Sequence, residues 1–243
     1  MSELGEGTAS ALRRAWLQGM REAGGTPAAV LGAGYIGFGA LARDADFSLL
    51  LSLVSTFAIW ALPGQIALIE LYNLGTAAPA LILAVMLTAA RFFPMTASLL
   101  PSLRHPRWRA PHYYLAGHLV AMTGWAVAMR RFPQMRRVER LPYFLGFTVL
   151  LWLACAAGTI IGYQLSYLFT DLVTLGLVFL NPMYFFLVLC GETRSRLGVT
   201  ALLCGAIAGP LLHLLVPEWS LILAGVLGGT LAFLLLETGQ RRS

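Results

Sequence analysis

Runs of roughly 20 residues without a charged side chain dominate this sequence and restrict its fold more than any other feature. A helix needs about 20 apolar residues to cross a hydrocarbon core about 30 Å thick. Only 12% of the 243 residues are charged, whereas a soluble domain carries roughly 25%. The sequence therefore predicts an all-α integral membrane protein, a polytopic bundle of transmembrane helices. The charge-free runs cover residues 23–42, 47–69, 71–90, 110–129, 141–170, 172–191, 197–217 and 219–236.

Seven or eight transmembrane helices are expected. The number stays open because the arginine-rich loop at 104–109 falls on the outer side by plain counting, so either the run around LPGQ (62–65) re-enters instead of crossing or the run at 110–129 lies partly in the membrane interface. We expect a cytoplasmic or interfacial N-terminal segment over residues 1–26, because its apolar stretches are short and interrupted by arginine. A single transmembrane domain is expected over 27–237, followed by a cytoplasmic tail over 238–243.

The positive charge of the chain comes from arginine alone, because the sequence contains no lysine. A net charge of +6 is compatible with nucleic-acid binding, but the arginines lie in short stretches beside apolar runs. Membrane topology explains them more simply, so no nucleic-acid partner is expected. Cytoplasmic loops are rich in Lys and Arg, which places both termini in the cytoplasm and the protein in the cell (inner) membrane. The terminal arginines are Arg13, Arg14, Arg21, Arg241 and Arg242.

Proline and glycine interrupt the apolar sequence at four places. Proline removes a backbone donor and clashes with the preceding turn, and a break inside a membrane needs protein or a water-filled cavity to receive the freed groups. Breaks in both halves of the chain favour an inverted repeat and a solute site lined by half-helix ends. The alternative is that the prolines only kink helices for packing. The interruptions are GAGYIGFGA (32–40), LPGQ (62–65), RFFPM (91–95) and LNPMYF (180–185).

Polar residues beside these breaks are candidates for binding a solute. Gln65 follows Pro63 and Asn181 precedes Pro182, so each half of the chain has one amide at a break. Half-helix ends offer amide groups to a carboxylate and bare carbonyls to a cation. The candidate substrate-binding residues are Gly34, Gly37, Gly39, Gln65, Arg91 and Asn181.

Glu70 and Arg91 are single charges between charge-free runs. A charge at the bilayer centre costs at least about 2.5–3.5 kcal/mol, so we expect the two to form an ion pair, or Arg91 to face a substrate carboxylate. The alternatives are that Glu70 ends its helix at the interface and that Arg91 snorkels. Asp171 is expected to cap the following helix or to take part in coupling. Glu70 and Asp171 are therefore the candidate coupling residues.

The sequence lacks a phosphate-binding loop, a His/Cys metal cluster and a nucleophilic serine motif. We therefore expect no catalytic residue, no metal and no cofactor, and a protein that is not an enzyme. Three Gly-x3-Gly spacings predict close helix contacts, within the chain or with another subunit, so a homo-oligomer stays open. They are Gly158–Gly162, Gly205–Gly209 and Gly225–Gly229.

Five stretches, taken in order, resemble the AzlC family, the large subunits of two-component branched-chain amino-acid exporters. The resemblance runs from about residue 12 to about residue 235. Each stretch is weak alone, but their order is specific. The stretches are GYIGFGALA (34–42), SLVSTFAIWALPGQIALIELYNLG (52–75), LTAARFFPMTASLLPSLR (87–104), WLACAAGTIIG (152–162) and LGLVFLNPMYFFLVL (175–189).

Single residues carry the match within these stretches. The residues that correspond to family motifs are Gly34, Gly37, Gly39, Gln65, Arg91, Trp152, Gly158, Gly162 and Phe185. The chain departs from the pattern at three places. Ala89 replaces the usual Asn of an N-x-R motif, no acidic pair stands near Met122–Thr123, and Pro63 replaces a small residue.

The resemblance implies a subunit that exports branched-chain or similar small apolar amino acids, driven by the proton motive force, with a small hydrophobic AzlD-like partner subunit in the lipid bilayer. The departures at Ala89 and Met122–Thr123 bear on substrate choice and on proton coupling. A divergent exporter of another small carboxylate therefore stays open. So does a non-transporting assembly subunit, in which the helix breaks serve only to dock a partner.

Overall fold

The computed structural model describes residues 2–192, 196–215 and 220–240. These residues are helical apart from short connections, which confirms the all-α prediction. The chain divides into two compact units, Met1–Tyr184 and Phe185–Ser243. The α-helices of the described part are α1 (Ser2–Ala23), α2 (Thr26–Asp44), α3 (Leu49–Ile59), α4 (Leu62–Asn73), α5 (Ala78–Ala89), α6 (Phe92–Leu103), α7 (Ala110–His118), α8 (Met122–Arg131), α9 (Arg137–Leu165), α10 (Asp171–Glu192), α11 (Arg196–Leu215) and α12 (Ser220–Gln240).

One stretch of the described residues, Arg137–Leu168, is long and apolar enough to cross a membrane by itself. Two bent helix pairs would raise the number to three if each pair is one span: Ala9–Ala23 with Thr26–Asp44, and Ala78–Ala89 with Phe92–Leu103. The other apolar stretches found among the described residues are 10–17 residues long, and they run over Leu49–Ile59, Asp171–Tyr184, Leu202–Leu212 and Leu223–Leu234. The seven or eight spans expected from the sequence therefore stay a prediction.

Helix α9 is the central element of the first unit, and both α1 and α2 pack closely against it. A Cβ atom added to Gly146 would collide with the carbonyl oxygen of Trp16 in α1, and one added to Gly162 would collide with that of Ile36 in α2. A Cβ on Gly158 would lie 2.5 Å from the Gly32 carbonyl oxygen. The Gly158–Gly162 spacing is thus a close helix contact, as predicted, and it lies within the chain.

The N-terminal segment predicted over 1–26 contains α1, which packs along the first part of α9. Of the predicted tail at 238–243, α12 includes the first three residues, and 241–243 lie outside the described residues.

Helix α2 runs unbroken through the glycine-rich stretch at 32–40, so the break predicted there is wrong. The glycines instead allow close approach on two sides of the helix. A Cβ on Gly37 would lie 2.8 Å from the Val178 Cγ2 atom of α10, and one on Gly39 would collide with the Thr159 carbonyl oxygen of α9. Helix α2 is therefore held between α9 and α10 by backbone contacts that any larger residue would block.

Helix α10 also continues past Asn181 and Pro182, so the break predicted at 180–185 is wrong. Proline at position 182 cannot donate to the carbonyl of Val178, one turn earlier. The helix continues nonetheless, and at that turn it packs against Gly37 of α2. Here the proline removes one hydrogen bond inside a packed helix without ending it.

The other two predicted breaks are confirmed. The chain leaves helical geometry between α3 and α4 at Trp60 and Ala61, where Trp60 has a φ of 47°. Helices α5 and α6 meet at Ala90 and Arg91 with a bend of 50°. A third break, between α7 and α8 at 119–121, was not predicted, because that stretch contains neither proline nor glycine.

Glu22 joins α1, α8 and α9 through charged hydrogen bonds. Arg131 donates from Nη2 to Oε1 at 2.5 Å and from Nε to Oε2 at 3.1 Å. The Tyr143 hydroxyl donates to Oε2 at 2.5 Å, and Gln18 Nε2 donates to Oε1 at 3.1 Å. The hydrogen bond to Glu22 raises the pKa of Arg131 further above its ordinary value, so the pair stays charged. This network fixes three helices beside a cavity of about 500 Å³.

We expect the substitution Glu22→Gln to lower the melting temperature by roughly 5 °C, because it removes the carboxylate that pairs with Arg131. The pair is partly exposed, with side chains 41% and 25% accessible, which keeps the effect moderate. Thermal unfolding of the purified protein measures it. Glu70→Gln is the matched control, because Glu70 is exposed and forms no ion pair within the described residues. Equal changes in melting temperature for the two variants would contradict a stabilising role for the Glu22 network.

Candidate functional site

A cluster of buried polar side chains lies where α3, α4 and α9 meet. Gln65 of α4 is fully buried, and its Nε2 donates to Ser55 Oγ at 3.0 Å and to Thr56 Oγ1 at 3.1 Å, both on α3. Thr56 Oγ1 lies 3.2 Å from Thr159 Oγ1 of α9. The predicted site residue Gln65 is thus the centre of a hydrogen-bond network inside the first unit.

The hydrogen bonds of the hydroxyl groups determine which way the Gln65 amide points. Ser55 and Thr56 both donate to the Ser52 carbonyl oxygen, at 2.8 and 2.9 Å. Each hydroxyl has one hydrogen, which is used in the bond to Ser52, so each can only accept a hydrogen bond from Gln65. The Nε2 atom of Gln65 must therefore face the two hydroxyls. Its oxygen, Oε1, is buried and has no hydrogen-bond partner in the described part of the chain. Such an acceptor is costly to leave unpaired and is suited to receive a donor from a ligand.

Asn181 of α10 supplies a second buried amide with the same property. It is 3% exposed, and its Oδ1 has no partner among the described residues. A Cβ on Gly34 would lie 3.4 Å from both the Asn181 Cβ atom and the Leu62 Cδ2 atom of α4. Because Gly34 has no side chain, α10 and the start of α4 both approach α2 at this residue. Leu62, the residue of α4 that makes this approach, lies one turn before Gln65.

The first turn of α4 offers hydrogen-bond donors beside these acceptors. The first bond of the helix runs from Gln65 N to Ala61 O at 3.0 Å, so the Leu62 and Gly64 amides have no acceptor within the helix. Ala61, the N-cap residue, has no side chain that could accept from them. Because Ala61, Leu62 and Gly64 are buried, the positive end of α4 faces the interior without a cap of its own.

Aromatic residues surround the break between α3 and α4. The Trp152 ring of α9 packs against Phe57 and Trp60, with centroids 4.6 and 6.2 Å apart. His118, at the end of α7, donates from Nε2 to the Phe57 carbonyl oxygen at 2.9 Å. The carbonyl end of α3 is therefore held by groups from α7 and α9.

The predicted ion pair between Glu70 and Arg91 is wrong for the described structure. Both side chains are exposed, and no ion pair joins them in this part of the chain. The reason is the antiparallel packing of α4 and α5, in which a Cβ on Gly64 would lie 2.7 Å from Thr88 Oγ1. Arg91 lies one turn beyond Thr88, near the start of α4, whereas Glu70 lies six residues, or about 9 Å, further along α4.

Asp171 is the first residue of α10 and is exposed. Together with Glu70 it stays outside the buried cluster. The structure thus brings Asn181 and Leu62 to Gly34, with Gln65 one turn further along α4 and Arg91 one turn beyond the contact between Thr88 and Gly64. Gly37 and Gly39 serve packing.

Sequence reasoning missed Ser55 and Thr56, which accept from the Gln65 amide, and Thr159, which contacts Thr56. A signal for two of them existed. Ser52, Ser55 and Thr56 follow the spacing i, i+3, i+4, which places three hydroxyl groups on one face of an otherwise apolar helix.

Comparison with known protein families matches residues 28–169 to the family described as AzlC protein. No curated protein and no solved structure matches the chain. The matched region contains the α3–α4 break, Gln65, Arg91 and the whole of α9. Because the match covers more than half of the 243 residues, this protein belongs to the AzlC family, and with it to proteins that take part in transport across a membrane.

Proposed function

We propose that this protein is the large subunit of an exporter that carries branched-chain or similar small apolar amino acids across the cell (inner) membrane. Seven or eight spans form the transmembrane domain, both termini lie in the cytoplasm, and a small hydrophobic AzlD-like subunit completes the transporter. The proton motive force drives export. Membership of the AzlC family supports this assignment, and the buried polar cluster indicates how a solute would be held.

The observation that carries the proposal is that α4 begins with amides that have no acceptor within the helix, while two buried amide oxygens have no partner among the described residues: that of Gln65 in the same turn and that of Asn181 beside Gly34. The oxygens of Gln65 and Asn181 suit an ammonium group, which only donates. The amides of Leu62 and Gly64, at a positive helix end, suit a carboxylate. An amino acid carries both groups on adjacent atoms, so one molecule can satisfy both sets.

The surroundings of the site favour an apolar side chain on the solute. Leu62 and Trp60 are 3% and 6% exposed and flank the break, and the described residues of the cluster are otherwise hydroxyls and amides. A charged solute side chain would have no counter-ion among them. Arg91, near the same helix end, would attract the carboxylate, and Glu70 and Asp171 remain the proposed coupling residues outside the cluster.

We expect Asn181→Leu to reduce leucine efflux about tenfold, because it removes one acceptor of the ammonium group while preserving side-chain size. The assay follows labelled leucine leaving preloaded vesicles that contain the chain and its small partner. Asn73→Leu is the matched control, since Asn73 is exposed at the end of α4. Equal efflux from both variants would remove Asn181 from the site.

The same assay distinguishes the proposal from its alternatives. Efflux of another small carboxylate but not of leucine would indicate a divergent exporter. An intact two-subunit complex that moves no solute would indicate a non-transporting assembly subunit and would contradict the proposed function.

A further inference from the structure

The break between α7 and α8 repeats the construction of the break between α3 and α4. Ala121, the N-cap residue of α8, has extended backbone geometry (φ −129°, ψ 159°) and no side-chain cap, as Ala61 has at α4. The first bond of α8 runs from Trp125 N to Ala121 O at 2.8 Å. The amides of the three residues between them therefore have no acceptor within the helix, and Ala121 is only 9% exposed.

Thr123 provides a second and independent sign of a ligand at this helix end. It is the second residue of α8 and so belongs to the same first turn as the uncapped amides. Thr123 is 2% exposed, and its Oγ1 has no hydrogen-bond partner within the part of the chain described. A Cβ on the neighbouring Gly124 would lie 3.0 Å from the Thr148 Cγ2 atom of α9. The helix end is thus enclosed by protein and lacks an internal partner.

Helix α9 connects this helix end to the Gln65 cluster. Thr148 lies beside Gly124 of α8, Trp152 beside the end of α3, and Thr159 beside Thr56. At 100° per residue these three positions of α9 lie within about 40° of one another, and Thr148 and Thr159 are separated by about 16 Å along the axis. The buried Nε1 of Trp152, between them, is also without a partner among the described residues.

We propose that Thr123 and the first turn of α8 form a second carboxylate-binding site, which the transported solute occupies before or after the Gln65 site. This inference rests on the proposed function. Three amides without an acceptor in the helix and a hydroxyl without a partner among the described residues supply donors at a positive helix end, and such donors select an anion. A carboxylate on a small apolar solute supplies that charge.

The test compares Thr123→Val with Thr148→Val. Both substitutions replace a hydroxyl by a methyl, but the Thr148 hydroxyl already donates to the Phe144 carbonyl of its own helix at 2.8 Å. The probe is labelled 4-methylpentanoate, which has the leucine carboxylate and side chain but no ammonium group. Equilibrium dialysis of the full chain, purified with its small partner, measures how many molecules bind.

We expect two molecules of 4-methylpentanoate to bind to the wild type and to Thr148→Val, but one to Thr123→Val. Leucine efflux by Thr123→Val should fall about tenfold, while leucine binding at the Gln65 site stays within about twofold. Thr123→Ser, which keeps the hydroxyl, should restore both the second molecule and the efflux.

A wild type that binds one molecule, or a Thr123→Val variant that matches Thr148→Val in stoichiometry, would overturn the second site. Failure of the proposed function gives a different result. In that case the wild type would move no leucine, while the loss of one bound carboxylate in Thr123→Val would still establish the site at α8.

Discussion

Gln65→Leu is expected to reduce leucine efflux at least about a hundredfold. The substitution keeps the size of the side chain but removes Oε1, which the proposed ammonium contact requires. It also removes both donors to Ser55 and Thr56. A site built to hydrogen-bond a ligand loses much more binding free energy when its buried polar groups are left unpaired than when a single methyl contact is removed. Labelled leucine efflux, at matched expression and with the small partner present, measures the effect.

Thr159→Val is the control for this prediction. Thr159 lies at the far edge of the same network, and its hydroxyl already donates to Cys155 O at 3.0 Å. Its loss should change efflux less than about threefold. If Gln65→Leu and Thr159→Val were equally active, the buried amide would be a packing feature, and the proposed site would be wrong.

Gly162→Ala is expected to destabilise the first unit by at least about 3 kcal/mol. The added Cβ atom would collide with the Ile36 carbonyl oxygen, and α2 is confined on its other side by α10. Overpacking costs typically 1–3 kcal/mol even where side chains can adjust, and a backbone atom between two helices adjusts less. The expected result is a melting temperature lower by roughly 10 °C or a loss of folded protein. Thermal unfolding monitored by size-exclusion chromatography measures it.

Gly176→Ala is the matched control, because a Cβ atom at Gly176 in α10 would meet no atom within 4 Å. Alanine is favoured over glycine in a helix by about 1 kcal/mol, so this variant should be as stable as the wild type or more stable. A Gly162→Ala protein with unchanged stability would show that α2 and α9 can separate without cost.

The sequence predicted helix breaks well where proline follows the break directly. Pro63 lies in the first turn of α4, where its missing amide costs nothing. Pro182 has the same chemistry but lies inside α10, where tertiary packing decides whether the helix continues. The break at 119–121 has neither proline nor glycine, so no local rule could reveal it.

The glycines of α2 show a second limit of sequence reasoning. A glycine-rich stretch is compatible with a broken helix and with a helix that neighbours approach closely. Only the positions of α9 and α10 distinguish the two, and these depend on contacts more than 100 residues away in the chain. Gln65 and Asn181 were identifiable because an amide in an apolar run is costly at any position. The hydroxyls that orient Gln65 were visible only as a helical spacing.

The alanine caps of α4 and α8 also affect how stable the empty protein is. In the proposed exporter each leaves buried donors for the solute, so the loaded protein would have hydrogen bonds that the empty one lacks. A ligand that binds only the folded state stabilises it by about 2.7 kcal/mol at a hundred times its dissociation constant. The transported solute should therefore act as a stabiliser of the fold. A panel of amino acids ranked by the rise in melting temperature would then identify the cargo without any transport assay.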